Sequence, residues 1–290
     1  MLQRDLELAA HLDRLGYDEL WCGEHHSSGW ETIASPEMFL AAAGERTSRI
    51  GLGTGVVSLP YHHPFNVAQR MVQLDHLTRG RALFGSGPGA LPSDARTLGV
   101  DPMVQRDRQD EALGVIMRLL RGEERFTHES EWFTLRDAQL QMLPLQEEIP
   151  MVTASSISPS GMQLAGKHGT GVISIATAST EGLQALPTHW SFAEEAAAAA
   201  GRTVDRLAAR YVVPELNGLT RNLRASADYV HDNQGSLIAG ASAAVIAKIQ
   251  ENERASAAMA MATTMSQIQE RVQGGGWRPG MSAPAEGSEA

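Results

Sequence analysis

Cysteine is nearly absent: Cys22 is the single one in 290 residues. An internal disulfide is excluded, and the expected setting is a reducing cytoplasm. Positive charge is short as well, with 24 Lys and Arg against 34 Asp and Glu, a formal net charge of −10. Phosphate-backbone binding needs clustered Lys and Arg, so a nucleic-acid partner is excluded. Long apolar runs are missing; nothing approaches the roughly 18 residues of a membrane span. The opening MLQRDLELAAHLDRLG carries acidic residues on an amphipathic pattern, which reads as a helix and not as a signal peptide. No G-x-G-x-x-G opens a helix after the first strand, which weakens any dinucleotide-binding sheet.

What is present is a repeating rhythm in an ordinary globular composition, 42% apolar and 20% charged. Leu2, Leu6, Ala9, Leu12 and Leu15 recur at helical spacing, and Gly16 stops the helix. Residues 18–23 read as a short buried strand that leaves Glu24-His25-His26 at its C-terminal end. Ser35-Pro36, an N-cap followed by proline at the first helical position, opens a helix to about Thr47. A strand at 50–57, a helix at 64–76 and a strand at 81–85 follow. Next come a helix over about 102–121 and an alternating stretch at 124–144 that reads as a hairpin insertion. Strands at 149–154, 171–176 and 208–214 then alternate with helices at 159–168 and 180–200. The strands are too apolar to have a wet face, so they belong in a parallel sheet covered by helices. The predicted fold class is α/β, a closed (β/α)8 TIM barrel in preference to an open doubly wound sheet. After Leu216 the pattern weakens: 222–230 and 241–250 read as helices, and 257–265 is a poor strand because Ala and Met favour helix. One barrel domain over 1–272 is expected, with 273–290, rich in Gly, Pro, Ser and Glu, as a disordered tail.

Four stretches carry candidate chemistry. The first is Glu24-His25-His26. At a strand's C-terminal end it faces a barrel mouth, where histidine suits proton transfer near neutrality and a carboxylate can orient the ring. A metal site is disfavoured, because neighbouring residues on an extended strand point to opposite faces; the bland alternative is a structural polar cluster. The second is Gly53-Thr54-Gly55-Val56-Val57-Ser58-Leu59-Pro60, whose glycines indicate either close approach of a ligand or a kink that helps the barrel close. The third is Gly85-Ser86-Gly87-Pro88-Gly89-Ala90-Leu91-Pro92, a loop able to present N–H groups to an anion or a flat ring, and equally an ordinary turn. The fourth is Ser155-Ser156-Ile157-Ser158-Pro159-Ser160-Gly161, leading from a strand into a helix. Hydroxyls and helix N-terminal N–H groups there make a phosphate cradle, and capping alone would need only one of those serines. Lys167-His168 lies a helix-length away from that cradle.

The run from GYDELWCGEHH through GLGTGVVSLPYHHP and DHLTRGRALFGSGPGALP resembles the bacterial luciferase-like flavin-dependent monooxygenases, and within them the limonene monooxygenase-like and alkanal monooxygenase-like branch. The likeness is dense over 2–215, recurs at 237–250 and fades afterwards. It implies an eight-fold βα barrel that uses reduced FMN, supplied by a separate flavin reductase, and dioxygen. A C4a-peroxyflavin would then oxygenate a small hydrophobic substrate of the terpene, alkane or aldehyde class. By position, Glu24 and His25 fall where the family has its strand-end acid and its catalytic histidine. Gly55 and Val56 fall at a non-prolyl cis peptide under the flavin ring, Ser156, Ser158, Ser160 and Gly161 at the FMN-phosphate loop, and Ser174 near the ring. A homodimer packed through the early helices is a further implication.

The sequence also departs from the family. Where luciferase has an arginine after strand four this chain has Pro88, so phosphate charge must be met by hydroxyls, N–H groups or another cation. A first strand before the opening helix is not recognisable, the long insertion after strand seven is largely missing between Val213 and Gly235, and the last strand is degraded. Two other functions therefore stand beside the monooxygenase. One is hydride transfer with the deazaflavin F420 on the same barrel; the other is a non-catalytic homologue acting as a subunit or binding protein.

Overall fold

Strands with two apolar faces need cover on both, and the chain supplies it by alternating helix and strand. The computed structural model describes residues 2–29, 31–156, 158–174, 180–212 and 236–238. The expected helices at 222–230 and 241–250, the poor strand at 257–265 and the tail at 273–290 lie outside the described residues. In chain order the helices and strands are α1 (Leu2–Leu15), β1 (Glu19–Cys22), α2 (Pro36–Gly44), β2 (Gly51–Thr54), β3 (Val57–Ser58), α3 (Pro64–Leu77), β4 (Ala82–Gly87), α4 (Pro92–Leu98) and α5 (Gln105–Leu120). The hairpin β5 (Phe126–Glu129) and β6 (Thr134–Ala138) follows, then β7 (Met151–Ser155), α6 (Ser160–His168), β8 (Gly171–Ser174), α7 (Thr180–Ala199), β9 (Arg210–Val212) and β10 (Ser236–Ile238).

The main sheet runs β1-β2-β4-β7-β8-β9-β10, with β3 also on β4, and every pairing in it is parallel. It is curled into a partial (β/α) barrel. Glu19 on β1 receives both ends of the Arg210 guanidinium from β9, at 2.6 and 2.7 Å, although these strands are not neighbours in the sheet. A bidentate fork of this kind needs its two strands to face each other across the interior. Inside lies Trp21, whose indole N–H donates to Glu19 Oε2 at 2.9 Å. A Cβ on Gly53 would sit 2.4 Å from the Trp21 ring, so only glycine admits the indole there. Outward-facing Leu52, Ala82 and Phe84 pack instead with Leu40, Met71, Leu74, Leu113 and Ile116 of the helices. Each large side chain among them contributes about 1.5–3 kcal/mol by leaving water.

Several boundaries differ from the sequence reading. The expected strand at 50–57 is two pieces, β2 and β3, on either side of the cis Gly55–Val56 peptide. Thr54 repairs the broken ladder: its hydroxyl donates to Gly85 O at 3.1 Å and accepts from Gly85 N–H at 2.9 Å. The strand at 81–85 continues to Gly87, so the expected glycine loop begins as strand over Gly85–Gly87; a Cβ on Gly85 would meet Thr54 O at 2.1 Å. Ser35 stands at the N-cap of α2 without a side-chain capping bond, and that helix stops at Gly44, not near Thr47. α4 was not expected at all, and β10 lies parallel to β9 in the stretch where no last strand was recognisable. The hairpin insertion is present at its expected place, with Phe133, Leu135 and Ala138 buried.

Candidate active site

The strands of a parallel barrel deliver their C-terminal ends to one mouth. Here β1 delivers Glu24, which is buried and which three donors surround. His26 Nε2 and His62 Nε2 each lie 2.8 Å from Oε1, and the Ser58 N–H donates to Oε2 at 2.9 Å. Burial by itself would raise its pKa, but the hydrogen bond and charge of His62, the Ser58 N–H and His26 outweigh it and hold the carboxyl below its ordinary value. Glu24 is therefore an anion that accepts and does not donate.

His25 takes a different direction. Its Nδ1 lies 3.1 Å from Asp94 Oδ2 and its Nε2 2.7 Å from Glu31 Oε2. The two rings diverge, as their opposite facing on an extended chain predicts. Asp94 on α4 gathers the tripeptide: its Oδ1 accepts the His26 N–H at 3.1 Å and the Ser27 hydroxyl at 2.5 Å. Burial again works to raise this carboxyl, and Ser27, His25 and the His26 N–H hold it down. Tyr61 meets His26 edge-on, with ring centroids 6.0 Å apart. Burial, with Asp94 and Glu24 nearby, pushes the Tyr61 phenol up although its oxygen accepts from Gln105 at 2.7 Å. The Cys22 thiol, driven by burial and then by Glu37, Asp5 and Glu31 up to about 12, is inert.

Below the rim the floor is apolar. The site of a Cβ on Gly55 lies 3.1 Å from Trp21 Cβ and 3.5 Å from Ile173 Cδ1, so β1, β2 and β8 converge there. Trp21 thus belongs to the interior beneath the mouth. On the β7–β8 side, Ser155 and Ser174 are in register and both buried. Ser156, Ser158 and Ser160 are half-buried where the chain enters α6, with the Ser158 and Ser160 hydroxyls 2.9 Å apart. A Cβ on Gly161 would fall 2.1 Å from Ala154 O, so glycine lets the N-terminus of α6 press against the end of β7. Hydroxyls and helix N–H groups at the rim with an aliphatic and indole floor fit a flat ring carrying a phosphate. Lys167 and His168 point elsewhere, to Asp110 at 2.6 and 2.7 Å.

Asp94, His62 and Glu31 were missed as site residues, and so was Arg70, whose Nη2 lies 3.3 Å from His62 Nδ1. The usable signal was His62 in S-L-P-Y-H-H-P, a polar pair directly after a strand. An open groove of about 790 Å³ lies elsewhere, between α5, the β5–β6 hairpin and the end of α6. Two of its carboxylates are matched: Glu111 accepts from Trp132 and contacts His128, and Asp110 holds Lys167 and His168. It contains none of the strand-end residues, so the barrel mouth is the candidate active site. No described helix is long and apolar enough to cross a membrane.

The sequence model of the family described as luciferase-like monooxygenase matches residues 2–287. The chain is 55% identical over 205 residues to limonene 1,2-monooxygenase of Rhodococcus erythropolis, covering 71% of this chain and 52% of that one. It is 54% identical over 208 residues to 4-hydroxyprotoasukamycin monooxygenase of Streptomyces nodosus subsp. asukaensis, covering 71% and 56%. Among solved structures it resembles the oxygenating constituent of 3,6-diketocamphane monooxygenase from Pseudomonas putida in complex with FMN. That match has a TM-score of 0.64 at 27% identity and covers 73% of this chain and 61% of the other. The chain spans about half the length of the curated relatives it matches.

Proposed function

The chain belongs to the luciferase-like monooxygenase family, and on that premise we propose that it is a flavin-dependent monooxygenase. In this reading it takes reduced FMN from a separate flavin reductase and oxygenates a small hydrophobic substrate, with a cyclic terpene as the leading class. Bound reduced FMN would supply two electrons and activate dioxygen, so that one oxygen atom enters the substrate and the other leaves as water. The chain's own part is positional. Ser156, Ser158, Ser160 and Gly161 at the start of α6 would hold the phosphate by hydroxyls and N–H groups. Gly55, Val56, Trp21 and Ile173 would floor the ring and keep water from it, and Ser174 would border it. Glu24 and His25 would manage protons at the rim, with Asp94 and Glu31 fixing the His25 ring.

The observation that carries the reading is the Glu24–His26–His62 and His25–Asp94 assembly at strand ends, above an apolar floor and beside a serine cradle. Anaerobic titration with reduced FMN, followed by flavin fluorescence, tests it. Saturable binding in the micromolar range is expected, and limonene with oxygen should then give a product 16 mass units heavier. No saturable binding, or clear preference for reduced F420 in a parallel titration, sinks the reading. A homodimer is part of the same proposal, since Leu2, Leu8 and Leu15 of α1 and Met38 of α2 are exposed; sedimentation equilibrium decides it.

A further inference from the structure

Arginine has donors only, so a guanidinium facing an imidazole nitrogen identifies that nitrogen as a lone pair. Arg70 Nη2 lies 3.3 Å from His62 Nδ1. Arg70 is held in turn by its ion pair with Glu37, a buried residue on α2. His62 must then carry its proton on Nε2, which points at Glu24 Oε1 over 2.8 Å. A second proton on His62 Nδ1 would confront the guanidinium. His62 thus gives Glu24 a hydrogen bond without cancelling its charge. The same carboxylate oxygen faces His26 Nε2, which must also carry a proton to make that contact. This leaves His26 Nδ1 as a lone pair, and no described residue donates to it. The contrast with His25 is chemical: both its nitrogens face carboxylates, and a neutral ring can donate to only one of them.

We propose that Arg70 and His62 are positioning residues that orient Glu24 without neutralising it and leave His26 Nδ1 as a proton-accepting atom of the site beside His25. The arrangement is that of a carboxylate behind a general-base imidazole, with the carboxylate itself oriented from behind. The inference rests on reading the mouth as a proton-transfer site, and it gives the second histidine of the tripeptide a role of its own. The charged and titratable groups facing the assembly are Glu24, His62, Arg70 and Glu37 on one side. On the other are Asp94, through the His26 N–H, then His25 with Glu31, and the Tyr61 ring.

Long-range 1H–15N spectra of the histidine-labelled protein, recorded without flavin across neutral pH, test the proposal. In the wild type both His62 and His26 should show the Nε2–H tautomer. In Arg70→Met, His62 loses the opposing guanidinium, and its titration midpoint should rise by about one pH unit. In His62→Leu, Glu24 keeps one imidazole partner, and the His26 midpoint should rise by about half a unit, while His62→Gln, which still offers an N–H, should return it towards wild type. An Nδ1–H tautomer at either wild-type ring overturns the proposal even if the variants do not fold. Folded variants with unmoved midpoints overturn it too. Loss of flavin binding in the wild type would count against the proposed function and leave the tautomer result standing.

Discussion

The two ends of the barrel use buried carboxylates in opposite ways. At the N-terminal end Asp13 accepts the backbone N–H groups of Ser48, Arg49 and Ile50 at 2.7–3.0 Å. There too Asp75 accepts those of Leu145 and Gln146 and the Gln146 amide, at 2.6–2.9 Å. Arg81 completes that face by donating to the carbonyls of Gly44, Thr47, Ile50 and Thr78. These partners are main chain for the most part, and they do not titrate. At the C-terminal end Glu24 and Asp94 are shared among imidazoles and a hydroxyl as well as single N–H groups. The first pattern fixes loops; the second holds protons that can move. An identical residue type thus serves stability at one end and chemistry at the other, as barrel architecture leads one to expect.

The largest expected effect lies at the stabilising end. Asp75→Ala strips three donors of a buried acceptor and should cost about 3 kcal/mol or more in urea unfolding. Its folded fraction should bind reduced FMN as the wild type does; a matching loss of affinity would erase the contrast. Glu24→Gln should do the reverse, lowering oxygenation turnover by about 100-fold with an unfolding midpoint close to wild type. The pH response should also separate the two ends. The Asp13 carboxyl is brought from 3.8 to about 2, since its N–H donors and the Ser48 hydroxyl overcome the opposing effect of burial. Because the folded value lies below the unfolded one, this stabilisation is present above about pH 4 and is lost as pH falls towards 2. Asp13→Asn should flatten the acid limb of stability over that window while leaving the neutral-pH activity profile in place. The smallest effect belongs to the rim: Ser158→Ala should weaken reduced FMN binding by about three- to fivefold, the scale of one hydrogen bond among several.

The helical and strand rhythm was readable because 3.6 and 2 residue periods are local properties of the chain. So was the address of Glu24-His25-His26, which needed only the end of one strand. Asp94 was not readable, since it meets the tripeptide from 68 and 69 residues further along the sequence, and Arg70 reaches it only through His62. The direction of Trp21 was hidden for another reason: a strand buried on both faces gives no alternation from which to tell inside from outside. The Gly85–Gly87 stretch read as loop because glycine is a breaker by propensity. In the structure close approach to Thr54 and Val56 requires it within β4. The short β10, Ser-Leu-Ile, offers too few residues for any period to show.

The fork between Glu19 and Arg210 has a consequence for how the chain tolerates change in length. Side chains on a strand alternate, so moving β9 along β8 by one residue would turn Arg210 out of the barrel and strand the Glu19 charge inside. Moving it by two would restore the facing but shift the guanidinium by about 6.6 Å, beyond the reach of a bidentate contact. The pair therefore acts as a parity check on the β8–β9 registration. Insertions in the connection after α7 are acceptable only where the turn absorbs them before Arg210.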